Sequence, residues 1–301
     1  MKIISAETSL VGVIGNPIQH SLSPIIHNAA LEKMGLDWCY LAIPCETKNL
    51  EIVINGLEAM KCKGLNITIP HKQDAIKSCK RISKLAQQIG AINTLIRDKE
   101  GGWVGTNTDI DGFIAPLKDT NWKSQKAIIL GCGGSARAVF SGLNTLNFDE
   151  IIIIGRDKIK LDNFIKNMRS NFTVSKEFFP SIQGVIEKDS ELIEYIKNAD
   201  LIVNTTPVGM KRTKTKFNQS IEMPLGKEIW ENLKSSATLY DLIYNPRPTA
   251  WLENGERYNC KIIDGLEMLI QQGAASLKLW SGFEEIPTKT MRIAAKKFLL
   301  C

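Results

Sequence analysis

The stretch Lys126–Arg137, KAIILGCGGSAR, constrains the fold more than any other part of the chain. A short apolar run, Ala127–Leu130, breaks into glycines, and a helix-forming segment, Ser135–Leu146, follows. Gly131, Gly133 and Ala136 fit the spacing G-x-G-x-x-G/A. In that pattern the first glycine permits a tight turn and the second lets backbone approach a pyrophosphate. The third, small position lets the helix pack on the strand. Backbone N–H groups at the helix start, reinforced by the helix dipole, then favour a phosphate. Glycines after a strand also make ordinary tight turns, so context decides. A second apolar run, Ile151–Ile154, ends in Gly155–Arg156, about 20 residues beyond the glycine turn, where a dinucleotide fold meets the adenosine ribose. An acid at that strand end binds a free 2′-hydroxyl, whereas Arg156 suits a 2′-phosphate.

On either side of this stretch, strands and helices alternate. Leu10–Gly15 reads as a short buried strand. Ser23 sits where an N-cap belongs, with Pro24 at the first helical position and Gly35 as the stop. Trp38–Ile43 reads as a strand, Leu50–Met60 as an amphipathic helix, and Gly64–Ile69 as a third strand cut off by Pro70. Ala91–Arg97 and Trp103–Thr106 flank the turn-rich Asp98–Gly102 as a hairpin. The alternation predicts an α/β domain with a mostly parallel sheet.

A second domain begins at Asp111. Its candidate strands are Ala127–Leu130, Ile151–Ile154, Leu201–Asn204, Thr238–Ile243 and Lys261–Ile263, with a weaker one near Phe172–Phe179. Leu161, Phe164, Ile165 and Met168 share one helix face between them. Repeated β–α units with a glycine turn after the first strand predict a Rossmann-type sheet. The long apolar helix Gly265–Trp280 is expected to return to the first domain. The expected division is thus residues 1–110 with 266–301, and residues 111–265.

Composition excludes several classes. No apolar stretch is long enough for a bilayer, and Met1–Leu10 lacks a secretory signal pattern. The seven cysteines are scattered without CxxC spacing, which fits free thiols in a reducing cytoplasm and neither a disulfide frame nor a metal site. A net charge of +6 helps attract an anionic substrate or cofactor. The one basic cluster, Lys211–Lys216, has no interleaved aromatics; it reads as a solvated loop, with phosphate sensing as the minor alternative.

Polar residues collect at strand ends of the first half: Ser21 and Ser23, Asn66 and Thr68, Lys72, Asn93 and Asp109. Ser23 caps on this reading, which leaves Ser21 unexplained by capping. Asn66 and Thr68 alternate with Leu65, Ile67 and Ile69 and share one strand face, which on a short strand is usually solvent. Lys72 is one of 38 Lys and Arg, and a lone lysine reads as surface. Its company at a strand end, where α/β sites cluster, singles it out. His20, His27 and His71 show no metal-ligand spacing and receive no catalytic role.

The chain resembles the shikimate dehydrogenase family. The resemblance rests on GNPIQHSLSP (Gly15–Pro24), GLNITIPHK (Gly64–Lys72), GAINT (Gly90–Thr94), GTNTD (Gly105–Asp109), GCGGSAR (Gly131–Arg137), NTTPVGM (Asn204–Met210), DLIYNPRPT (Asp241–Thr249) and DGLEMLIQQGAASLKLW (Asp264–Trp280), in family order. It implies two α/β domains with the site in the cleft between them, and NADPH-dependent reduction of 3-dehydroshikimate to shikimate on the route to chorismate and the aromatic amino acids. By motif, Ser21, Ser23, Thr68, Lys72, Asn93, Asp109, Tyr244 and Gln272 would contact substrate, with Asn66 supporting them. Lys72 and Asp109 would be the catalytic pair. Gly131, Gly133, Gly134, Ser135, Ala136, Arg156, Lys160, Thr205, Leu242 and Gly265 would line the cofactor side. No metal, nucleic acid or membrane partner is implied, and the assembly is expected to be a monomer or homodimer.

One departure concerns the cofactor. Where the family usually has Asn-Arg-Thr, this chain has Gly155–Arg156–Asp157. Arg156 and Lys160 favour NADP, while Asp157 places an acid beside the expected phosphate and keeps secondary use of NAD open. Three rivals remain. A quinate user of the same fold would have to accommodate an extra ring hydroxyl. A non-catalytic sensor or repressor would have a degraded pair or a DNA-reading segment. A glutamyl-tRNA reductase-like enzyme would need a nucleophilic cysteine in a suitable setting.

Overall fold

The computed structural model describes residues 3–122, 125–172, 179–188, 191–210 and 223–300. The basic cluster at Lys211–Lys216 lies outside them. In chain order the first part contains β1 (Ser9–Gly15), α1 (Ser23–Lys33), β2 (Trp38–Pro44), α2 (Leu50–Ala59) and β3 (Gly64–Ile67). It continues with β4 (Arg81–Ile82), α3 (Lys84–Ile89), β5 (Thr94–Arg97), β6 (Trp103–Thr106) and α4 (Asp109–Ile114). There follow β7 (Lys126–Leu130), α5 (Gly134–Thr145), β8 (Glu150–Gly155), α6 (Lys158–Phe172) and β9 (Ser181–Ile186). The remainder is α7 (Leu192–Asn198), β10 (Leu201–Asn204), β11 (Thr238–Asp241), α8 (Ala250–Arg257), β12 (Lys261–Ile263), α9 (Leu266–Ser281) and α10 (Thr288–Leu299).

Two compact units result. One joins Met1–Gly112 to Leu269–Cys301, and the other is Phe113–Met268. The first unit carries a six-stranded sheet in the order β2-β1-β3-β5-β6-β4. Only β5 runs against the rest, pairing antiparallel with β3 and β6. It is reversed because Asp98–Gly102 is too short for a crossover and must turn as a hairpin. That strand begins at Thr94, three residues later than the expected Ala91. Trp103, fully buried, anchors the core of this unit with its indole N–H donated to the Ile54 carbonyl at 3.2 Å.

The second unit carries the sheet β12-β11-β10-β7-β8-β9, parallel throughout. Its central strands KAIIL, EIIIIG and LIVN are almost wholly buried. Such continuous apolar runs are what a parallel sheet covered on both faces requires. The strand expected near Phe172–Phe179 falls mostly on residues 173–178, outside the described residues; α6 runs to Phe172, and the outer strand of the sheet is Ser181–Ile186. Strand order reverses at β7, with β8 on one side and β10 on the other. Ligands of open α/β sheets bind at such a switch point, beyond the carboxyl ends of the strands. Among the described residues no helix is long and apolar enough to cross a membrane.

Candidate active site

In the first unit, loops after β1 and β3 come together. Asn16 donates its N–H to the Ile69 carbonyl at 2.9 Å, and Thr68 donates to Ile14 at the same distance. Gly15 is required here, since a Cβ would come within 2.4 Å of Thr68 Cγ2. The β1 loop carries Ser21 and Ser23, and the expectation that Ser23 caps the helix is corrected. Leu22 holds the cap position and offers no side-chain bond; Ser23 is the first helical residue and Pro24 the second. Ser21 Oγ accepts the Ser23 N–H at 3.2 Å, so Ser21 is the serine that serves the helix start. Thr68 lies one residue past β3. His71 is buried and donates from Nε2 to the Cys45 carbonyl at 2.8 Å, which pins the loop immediately before Lys72.

Lys72 and Asp109 meet there. Lys72 Nζ lies 2.5 Å from Asp109 Oδ2, with side-chain exposures of 12% and 6%. Asp109 does not end a strand, as its position in the sequence suggested; it opens α4, and its own N–H donates to Asn107 Oδ1 at 2.9 Å. Asn93 leads into β5 and donates from Nδ2 to Asp109 Oδ1 at 2.8 Å. Both carboxylate oxygens are therefore held, one by an ammonium and one by an amide. Charge-assisted bonds of this kind are short and strong. Gln272, from α9, lies beside Asn93, with Oε1 3.4 Å from Asn93 Nδ2.

Asn66 is buried and not on a solvent face. It accepts from the Tyr40 hydroxyl at 2.8 Å and donates to the Asn93 carbonyl at 3.1 Å and to Ser276 Oγ at 2.9 Å. Thr94, Thr108 and Ser276 complete this polar cluster. Sequence reading did not single them out: Thr94 and Thr108 adjoin chosen residues within GAINT and GTNTD, and Ser276 was a lone hydroxyl in an apolar helix. Tyr244 belongs to the second unit, half-buried after β11.

The second unit places the glycine turn at the switch point. Gly131 has φ +102° and sits against Thr205, whose hydroxyl a Cβ would approach to 2.9 Å. Thr205 in turn donates from Oγ1 to the Leu130 carbonyl at 2.6 Å. Gly133 caps α5 with no side-chain bond to the first-turn N–H groups, and a Cβ there would meet nothing within 4 Å. Open space before uncapped helical N–H groups fits a pyrophosphate at Gly133, Gly134 and Ser135. Ala136 is fully buried. Leu242 and Gly265 adjoin, with Gly265 N–H donated to the Ile243 carbonyl at 3.1 Å.

Arg156 and Lys160 are exposed at the end of β8 and the start of α6. Asp157 has a role the sequence reading did not give it: its Oδ1 accepts the N–H groups of Ile159 and Lys160 at 3.0 and 3.1 Å. It caps α6. Among the described residues no cluster of three or more His, Cys, Asp or Glu could hold a metal ion.

Comparison with known proteins agrees with this fold. Residues 13–95 match the shikimate dehydrogenase substrate binding domain, and residues 265–296 the shikimate 5′-dehydrogenase C-terminal domain. A Prochlorococcus marinus protein (strain AS9601) named shikimate dehydrogenase (NADP(+)) is 48% identical over 99% of this chain and 100% of its own. The chain belongs to the shikimate dehydrogenase family. Two solved shikimate dehydrogenases share its fold. One, in complex with NADP+, superposes with a TM-score of 0.85 at 34% identity over 99% of this chain and 98% of its own. The other, from Listeria monocytogenes in complex with shikimate and NAD, gives 0.83 at 30% identity over 98% and 99%. These relatives together span 98–99% of this chain.

Proposed function

We propose that this chain interconverts 3-dehydroshikimate and shikimate with NADP, and that Lys72 and Asp109 are its catalytic pair. The reading rests above all on the nearly buried 2.5 Å contact between them. As a ketone carbon is reduced, negative charge grows on its oxygen, and a positioned cation and proton donor lowers the barrier. Lys72 Nζ has N–H bonds beyond the one given to Asp109, and one of these meets the substrate oxygen. Lys72 passes its proton to that oxygen in reduction and takes the hydroxyl proton in oxidation. Asp109 keeps the nitrogen aimed and balances its charge. The cofactor would supply a hydride from its reduced form in the reductive direction and take one onto its oxidised form in the other.

Ser21, Ser23, Thr68, Asn93, Tyr244 and Gln272 bind the hydroxyls and carboxylate of the substrate, with Asn66 behind them. Gly131, Gly133, Gly134, Ser135 and Ala136 hold the pyrophosphate of NADP, and Arg156 and Lys160 its 2′-phosphate. Thr205, Leu242 and Gly265 complete the cofactor side. The units carry these tasks separately: substrate binding in residues 1–112 with 269–301, cofactor binding in 113–268. The enzyme works in the cytoplasm as a monomer or homodimer.

Steady-state oxidation of shikimate with NADP, with NAD and with quinate in parallel, tests the reading. Turnover is expected with shikimate and NADP. Lys72→Ala should lower kcat by about 10²–10⁴-fold with a far smaller change in KM, the range typical of general acid–base assistance. An undiminished kcat would remove Lys72 from the mechanism. Better turnover of quinate would reassign the substrate. Tight NADPH binding without turnover of either acid would favour a sensor.

A further inference from the structure

The Asn93 side-chain amide is fully engaged, and backbone groups decide which way it faces. The Thr108 N–H can only donate, and it does so to Asn93 Oδ1 at 2.8 Å. The Nδ2 group must therefore face the other way, toward Asp109 Oδ1 at 2.8 Å and Thr108 Oγ1 at 3.0 Å. Thr94 donates its hydroxyl proton to Asn93 Oδ1 at 2.9 Å, which fills the second acceptor position. Two donors and two acceptors are thereby satisfied, the full capacity of a primary amide.

Behind this amide stand three hydroxyls within hydrogen-bond distance of one another. Ser276 Oγ lies 2.8 Å from Thr94 Oγ1 and 3.1 Å from Thr108 Oγ1, and the two threonine oxygens are 3.2 Å apart. All three residues are at most 2% exposed. The Asn93 carbonyl can only accept, so Asn66 turns Nδ2 to it and to Ser276 and keeps Oδ1 for Tyr40. A reversed Asn93 amide would set oxygen against oxygen at Asp109 and push the carboxylate off its place beside Lys72.

We propose that Thr108 is a positioning residue for the Lys72–Asp109 pair: it fixes the Asn93 amide that holds Asp109, with Ser276 as the buried prop behind it. The inference rests on the catalytic role given to that pair above. Without the Thr108 hydroxyl, the second Nδ2 hydrogen loses its acceptor and is drawn toward Gln272 Oε1, 3.4 Å away. The Thr108 backbone N–H still sets which way the amide faces, but the amide swings toward Gln272 and its bond to Asp109 lengthens.

Thr108→Val keeps the shape and removes the hydroxyl, while Thr108→Ser keeps the hydroxyl and removes a methyl. With shikimate and NADP, Thr108→Val should lower kcat about 10-fold, a loss in keeping with the sensitivity of catalysis to small misplacements. Its KM for NADP should stay the same, and Thr108→Ser should come within about twofold of the starting kcat. Ser276→Ala should lower kcat by a smaller factor, and the double variant Thr108→Val/Ser276→Ala should be little worse than Thr108→Val alone, as neighbours in one network behave. In ¹⁵N-resolved hydrogen exchange, the Asn93 side-chain NH₂ should exchange faster in Thr108→Val and not in Thr108→Ser. A Thr108→Val kcat equal to that of the unchanged protein overturns the proposal, as does a Thr108→Ser variant equally slow. A lowered melting temperature with kcat intact would also reject it, because only stability would then depend on the hydroxyl. If the unchanged protein fails to oxidise shikimate, or Lys72→Ala keeps its kcat, the reading of the pair fails instead. The Asn93 exchange comparison then still decides whether Thr108 holds the amide.

Discussion

Asp157 shows how one residue type can answer two questions. By its place after β8 it reads as an acid facing a ribose or a phosphate. In the structure it satisfies the first N–H groups of α6, and its Oδ2 also lies 3.8 Å from Lys160 Nζ. One of the two cations expected at the 2′-phosphate therefore already has an anion beside it. Asp157→Thr keeps a cap oxygen and removes the charge. NADPH should then bind about 3–10-fold more tightly, with a steeper loss of affinity on adding salt and no change for NADH, since both effects come from the charge alone. Titration of nicotinamide fluorescence at two salt concentrations measures this, and identical NADPH affinities would clear Asp157 of any part in cofactor choice. Asp157→Ala should in addition lose about 1 kcal/mol of stability with the cap. The Lys72–Asp109 contact was legible at this scale because each residue falls within a distinctive motif. The cap was not, because which N–H groups a carboxylate faces is set by backbone turns that composition does not encode.

Elements were legible where apolar runs were long. The strands KAIIL and EIIIIG declare a covered parallel sheet, and helix α5 begins one residue from its expected start. Element ends were less legible: a serine next to a proline predicts a cap, yet the chain turned one residue earlier and gave that work to Ser21. Helix α1 also carries His27, which the sequence left without a role. Its ring stacks on Tyr40 at a centroid distance of 4.1 Å, and Nδ1 donates to the Ser23 carbonyl at 2.8 Å. Burial pushes its pKa down to about 4, against the opposing effect of that backbone bond. In the unfolded chain a histidine titrates near 6.5. Between these values the unfolded state binds more protons, so stability rises with pH. His27 thus contributes stability that is complete above about 6.5 and is lost as pH falls toward 4, up to about 3 kcal/mol in all. Asp241, buried at the end of β11, is pushed up to about 6 by burial and tilts the profile the opposite way over part of the same range. Comparing urea unfolding of the unchanged protein and His27→Gln from pH 4.5 to 7.5 cancels Asp241. The difference should widen in favour of histidine as pH rises, and parallel curves would show that His27 is not held neutral.

At the scale of the molecule, alternating strands and helices announced two α/β units, and the apolar helix near the C-terminus announced a return to the first. The buried polar cluster was not announced, because Asn66, Asn93, Thr108 and Ser276 lie far apart in sequence and Ser276 shows no pattern of its own. Residues from α9 complete the unit built by the first third of the chain. Trp280 donates its indole N–H to the Leu95 carbonyl at 3.0 Å, packs on Gly64 and leans on Tyr40 with ring centroids 6.3 Å apart. The second unit has its own core of Ile128, Ile152, Ile202, Leu239 and Trp251. A large cavity cut at Trp280 should therefore be felt at the other end of the sequence and not in its middle. Trp280→Ala should destabilise the first unit by about 3 kcal/mol, the range for truncating a large aromatic side chain. Backbone hydrogen exchange should accelerate in β1, β3 and β5 while β7, β8 and β10 keep their protection, because sub-global openings follow cooperative units and not sequence proximity. Equal loss of protection in both sets of strands would mean that the chain unfolds as one cooperative body.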